Sequence, residues 1–166
     1  MPKYKVIEAT IQAVLMQWAM NEKHHSCVLP NSNQFFSWEC DLITITRAGL
    51  THEFEIKLNR SDYNRDATKL KHFRIGDKQR SPAYFWYVTY NFEIEPPEKA
   101  GWIFIWLDEE KSKWHIEVKK DAPRLNNWKV NSKKQSQIAR LLSYRITNYY
   151  VSDFMFLRNN VDNEQE

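Results

Sequence analysis

The sequence predicts an α/β (α+β) chain with a mixed central sheet flanked by helices, and three observations carry that expectation. Apolar residues recur at helical spacing near both ends, as Ile7, Ile11, Val14, Leu15 and Trp18 and again as Ile138, Leu141, Leu142, Ile146 and Tyr149. Between them lie strongly β-prone runs, of which 84–90 and 101–107 are apolar on both faces, the pattern of strands covered on two sides. One hairpin, 38–45 with 53–57 about a turn at Ala48-Gly49, carries acids where a structural hairpin would carry Thr or Val. The order helix, three strands, helix, further strands, helix then places helices on the faces of one mixed sheet.

Taken in order, residues 6–22 form the first helix, with Glu8 and Gln12 one turn apart on the border of its apolar stripe. Both could point into a cleft beside the sheet, or Glu8 is a helix-start acid favoured by the macrodipole. Residues 26–29 make a short strand ended by the turn residues 30–33, and the acidic hairpin follows. Ser61 or Asp62 caps a helix through about Phe73, on which Arg65, Lys69 and His72 form a cationic stripe. That stripe is either a solvated face, with Asp66 and Lys69 pairing on the surface, or a phosphate contact. After a polar connection come strands at 84–90, 101–107 and 114–118, the last amphipathic and therefore nearer an edge. The final helix spans 132–150 with Lys133, Lys134 and Arg140 outside its stripe, and the aromatic-rich stretch 149–156 either continues it or packs back.

With 166 residues and 42% hydrophobic content, the chain reads as one domain over 1–158 followed by a disordered polar tail at 159–166. A net charge of +3 leans towards anionic partners by too small a margin to decide alone. Cys27 and Cys40 lack metal-site spacing and read as buried free thiols, and the adjacent His24 and His25 diverge too far to chelate, which suits a solvated helix end. The N-terminus leads into an amphipathic segment, and no apolar run approaches membrane-spanning length, so a soluble cytoplasmic protein without a membrane partner is expected.

Register decides whether the hairpin acids cooperate. A three-residue loop, Arg47-Ala48-Gly49, sets Asp41 opposite Glu55 and Ile43 opposite Glu53, so that Asp41, Glu53, Glu55 and Lys57 share a face. A two-residue loop would throw the two carboxylates to opposite faces. Leu42 and Thr44 alternate with Ile43 and Ile45 and do not settle the register, but Phe54, Ile56 and Leu58 give the second strand a clean apolar face, and the three-residue loop is the expectation. Two carboxylates on neighbouring strands suit Mg²⁺, with Mn²⁺ as a substitute, and the backbone carbonyl of Ile56 supplies a third oxygen. Lys57 can orient or deprotonate an attacking water and offset phosphate charge.

The order Glu8 on a helix, Asp41 on a strand, then Glu55-Ile56-Lys57 on the next strand resembles the PD-(D/E)XK nuclease superfamily. The run 53–57, followed by Ser61-Asp62-Tyr63 and 66–69, is similar to its small phage- or mobile-element-type members, and the likeness covers roughly residues 5–124. It implies a restriction-endonuclease-like αβββαβ core and a metal-dependent endonuclease acting on DNA, with RNA not excluded. Asp41 and Glu55 would be metal ligands, Lys57 the catalytic lysine and Glu8 a supplementary acid. Cys40 stands where the family usually places a proline, so Glu39 remains an alternative ligand. Gln12, Arg65, Lys69, His72, Lys133 and Lys134 would contact nucleic acid, and a second copy or a phage or host protein could be a further partner. The rival readings are a nucleic-acid-binding or protein-interaction module on the same fold without catalysis.

Overall fold

A computed structural model of the chain describes residues 6–66 and 81–163, with side chains through residue 152. The chain divides into two compact units, Met1–Lys129 and Val130–Glu166. In the first, helix α1 (Glu8–Asn21) precedes strands β1 (Cys27–Ser32), β2 (Cys40–Ile45) and β3 (Thr51–Lys57). Helix α2 (Arg60–Asp66) and strands β4 (Tyr84–Tyr90), β5 (Gly101–Asp108) and β6 (Lys113–Lys120) follow. The strands form one six-stranded sheet in sequence order. Pairs β1·β2, β2·β3 and β5·β6 are antiparallel, while β3·β4 and β4·β5 are parallel, so the sheet is mixed.

Each face of the sheet has its own core. Ile11, Leu15, Trp18 and Ala19 of α1 pack on Leu42, Phe54, Ile56, Trp86, Val88, Ile103 and Ile105. Burying a side chain of this size contributes roughly 1.5–3 kcal/mol, so this layer holds α1 to the sheet. Ile7, expected on the stripe, is half exposed because it lies just ahead of the first helical turn. The opposite face carries Phe85, Tyr87, Ile94 and Ala100, with Tyr63 and Trp102 packed against them. Gly101 opens β5 because a Cβ there would stand 2.5 Å from the Trp86 ring.

Several local expectations shift. β1 runs through Pro30 to Ser32 rather than ending at the proline, and Pro30 pairs with Leu42 from an edge strand, where its missing N–H is tolerated. Helix α2 begins earlier than Ser61, since Asn59 Oδ1 accepts the Asp62 N–H (2.9 Å) and acts as the cap. β6 does lie at a sheet edge. His24 is exposed, but His25 turns inward and its Nδ1 meets Thr44 Oγ1 at 2.7 Å. Cys27 and Cys40 form no disulfide; Cys40 is buried and Cys27 half-buried.

The second unit contains helix α3 (Ser132–Asn163), started by Asn131, whose Oδ1 accepts the Lys134 N–H at 2.9 Å. The stretch 149–156 continues this helix, which also takes in 159–163 of the expected tail. Among the described residues no helix is long and apolar enough to cross a membrane.

Candidate active site

The turn sets the geometry. Thr46 N–H donates to Leu50 O (2.9 Å) and Gly49 N–H to Thr46 O (2.9 Å), with Gly49 at φ 81, so the loop is Arg47-Ala48-Gly49. From it the ladder runs Ile45↔Thr51, Thr44↔His52, Ile43↔Glu53 and Leu42↔Phe54. The same register carried one step further sets Asp41 across from Glu55. At that step a side chain takes over from the backbone ladder: Asp41 Oδ2 accepts the Ile56 N–H at 2.7 Å. A residue's N–H and C=O project to the same side of an extended strand, so the Ile56 carbonyl also faces the β2 side, towards Asp41. Phe54 and Ile56 lie in the α1 core, so Glu53, Glu55 and Lys57 occupy the other face.

There Lys57 is 2% exposed and held by carboxylates. Its Nζ donates to Glu55 Oε1 (2.8 Å) and Asp66 Oδ1 (3.0 Å), with Asp62 Oδ2 third at 3.9 Å. Asp66 is fully buried and its Oδ2 accepts the Tyr87 hydroxyl at 2.9 Å. Burial, then the Asp66 charge, push the Tyr87 phenol up, which keeps it a donor. Asp66 is therefore no surface partner: the burial of the α2 face that carries it overrides the solvated reading of the charge run. Asp62 and Asp66, four apart on one helix face, were the signal in the sequence that could have disclosed this role.

A second bracket comes from α1. Gln12 is 5% exposed, and its Nε2 donates to Asn31 Oδ1 (2.8 Å), to the Asp41 carbonyl (2.8 Å) and, more weakly, to Glu8 Oε1 (3.3 Å). Gln12 thus ties α1, β1 and β2 together rather than presenting its amide to solvent. Replacing it by alanine would remove two part-buried hydrogen bonds, so Gln12→Ala should cost about 1 kcal/mol in urea unfolding; a loss below about 0.3 kcal/mol would show these bonds to be dispensable.

Glu8 is exposed at the rim. Partial burial, then the Glu55 charge, raise its carboxyl against the opposing pull of Lys57, which puts Glu8 within electrostatic reach of the Glu55–Lys57 pair. Glu39 is exposed just ahead of β2. Trp38 Nε1–H donates to Glu53 Oε1 at 2.8 Å, so the third acid of the hairpin is held by an indole. Arg65 is largely exposed and lies 3.8 Å from Asp62. Lys69 and His72 fall outside the described residues. Lys133 is exposed and Lys134 half-buried, both at the start of α3 in the second unit.

The chain shares its fold with a protein of unknown function from Silicibacter pomeroyi. The two superpose with a TM-score of 0.56 at 13% identity, over 84% of this chain and 85% of that one. No protein-family profile matches the chain, and no curated protein sequence does.

Among the described residues no group of three or more His, Cys, Asp or Glu side chains is placed to hold a metal ion. The register does set two carboxylates, Asp41 and the buried Glu55, across from one another beside the Ile56 carbonyl. All are hard oxygens, which fits Mg²⁺, an ion that keeps several of its own waters and takes only one or two carboxylates.

Proposed function

We propose that the chain is a metal-dependent endonuclease of the PD-(D/E)XK type, hydrolysing phosphodiester bonds of DNA on a restriction-endonuclease-like core. The observation that carries this reading is the β2–β3 register, which brings Asp41 to the Glu55-Ile56-Lys57 strand and bonds Asp41 Oδ2 to the Ile56 N–H at 2.7 Å. Asp41, Glu55 and the Ile56 carbonyl would hold Mg²⁺ or Mn²⁺, which supplies charge stabilisation of the phosphoryl oxygens and an activated water. The remaining work falls to the protein. Lys57 has three N–H donors; two are directed to Glu55 and Asp66, and among the described residues the third has only the long contact to Asp62. That third donor is the one to orient a water or a phosphate oxygen. Asp66, itself fixed by Tyr87, keeps the ammonium in place, and Glu8 adds negative charge at the rim.

One observation favours the second reading, a binding module without catalysis: Lys57 is almost fully enclosed, as a purely structural ion pair would be. Cleavage decides between them. The full-length protein is expected to cut plasmid or single-stranded DNA with Mg²⁺ or Mn²⁺ and not with EDTA. Asp41→Asn and Glu55→Gln should each lower the rate at least about a hundredfold, since even groups that only support a metal ligand are worth 10–100-fold. Metal-dependent cutting that survives Asp41→Asn, Glu55→Gln and Lys57→Ala alike would move the active site elsewhere; DNA binding with no cutting in either metal would establish the module.

A further inference from the structure

We infer that the half-exposed aromatic row on β5 and β6, formed by Phe104, Trp106 and His115 beside Lys119, is a stacking platform for unpaired nucleobases. The strand held next to the Glu55–Lys57 site is then single-stranded DNA, a choice of substrate that rests on the nuclease reading, whereas the binding itself does not.

Ile103 and Ile105 are fully buried in the α1 core, so Trp102, Phe104 and Trp106 occupy the face that also carries Glu55 and Lys57. Trp102 belongs to the core of that face, and its indole N–H donates to Thr89 Oγ1 at 2.9 Å. Phe104, Trp106 and His115 are half-buried. The Trp106 and His115 rings are stacked on one another, 4.9 Å apart with their planes within 9° of parallel, and Phe104 follows at 5.5 Å from Trp106, tilted by 38°. Lys119 Nζ lies 5.7 Å from the Phe104 centroid while pairing with Glu117 Oε2 at 2.7 Å.

Cross-strand pairing alone would account for Trp106 against His115. Position adds more. The ladder runs Lys57↔Thr89, Thr89↔Phe104 and Phe104↔Glu117, so Phe104 lies two strand spacings from Lys57, about 10 Å across the same face. A base on Phe104 therefore keeps its own backbone beside the acids. Every base has a π-face, so such a row accepts unpaired bases and excludes bases already stacked inside a duplex. A second copy of the chain fits the row poorly. A stable interface needs about 800 Å² per partner, and three half-exposed rings offer less than half of that.

Charge on this surface is balanced, with Asp108 and Glu117 against Lys113 and Lys119 along the same edges. Stacking rather than phosphate contact must then dominate, which gives a distinctive salt dependence. With at most two lysines engaged, the slope of log affinity against log salt should be no steeper than about −1.4.

The test is fluorescence anisotropy of the full-length protein in EDTA with a fluorescein-labelled oligo-dT of about 12 nucleotides, against the matching duplex. Oligo-dT should bind about tenfold or more tightly than duplex. Phe104→Leu and Trp106→Leu should each weaken it on the order of tenfold, while Trp106→Tyr, which keeps a π-face, should bind nearly as wild type. Leucine variants that bind like wild type, tighter binding of duplex, or a steep salt slope would each overturn the inference. So would self-association that Trp106→Leu abolishes without any oligo-dT binding, since the row would then join two copies. Should Trp106→Leu fail to fold, the wild-type comparison of oligo-dT with duplex and the His115→Ala variant, expected to bind several-fold more weakly, decide alone. Because EDTA suppresses cutting, oligo-dT binding by a protein that never cuts leaves the platform standing and removes the nuclease reading; cutting by a protein whose leucine variants bind unchanged does the reverse.

Discussion

Acidification from pH 7 to pH 4 is expected to remove about 3 kcal/mol of stability through His52 alone. His52 stacks on Tyr84 at 4.4 Å and lies 4.7 Å from the His25 ring. Its Nδ1 accepts the Trp86 indole N–H at 3.1 Å, so the neutral ring carries its proton on Nε2. A second proton would have to go to Nδ1, against a donor. Burial first, and His25 second, push the His52 pKa down from 6.5 to about 3. The unfolded chain therefore binds a proton as pH falls below about 6.5, while the folded chain does not until about 3. Stability is complete above that window and falls by about 1.4 kcal/mol per pH unit within it. Folded domains have only about 5–15 kcal/mol to lose, so the effect is large. His52→Phe should be less stable at pH 7, because Trp86 loses its acceptor, yet its urea-unfolding free energy should fall by about 3 kcal/mol less than that of wild type on going to pH 4. Parallel pH profiles for the two proteins would rule this account out.

Asp66→Ala should destabilise the protein by roughly 3–5 kcal/mol, the cost of breaking a buried ion pair by removing one partner. The substitution takes one of two close carboxylates from Lys57 and the acceptor from the Tyr87 hydroxyl in a single step. Asp66→Asn should cost less, because its amide oxygen still accepts from Tyr87 or Lys57 while the charge is gone. Urea unfolding at pH 7 reads both. A loss under about 1 kcal/mol for Asp66→Ala would mean that Lys57 is held by Glu55 alone.

The hairpin register was legible because it depends on a few consecutive residues. A glycine that can adopt φ 81, three residues of loop and alternating side chains fix it without reference to the rest of the chain. Strands β4 and β5 were legible from their two-sided apolar runs, and α1 from its stripe, for the same reason. Gln12 and Asp66 were not legible in this way. Gln12 stands at the border of the α1 stripe, where the sequence names no partner for it, and Asp66 on a short helix that polarity alone assigns to solvent; only the arrival of Asn31, Asp41, Lys57 and Tyr87 from other elements makes their burial favourable. Pro30 inside a strand and His25 turned onto Thr44 belong to the same class, since an edge position and a partner across strands are not local properties.

The sequence by itself thus determined the elements, the mixed α/β class and the pairing of Asp41 with the Glu55-Ile56-Lys57 strand, all through interactions between near neighbours in the chain. The tertiary structure alone decided what surrounds those groups: a lysine enclosed by Glu55 and Asp66, a glutamine that bolts α1 to the site, and an aromatic row on the same face. Burial and hydrogen-bond partnership are set by segments that meet only on folding, and they decide whether a charged side chain faces water or a carboxylate.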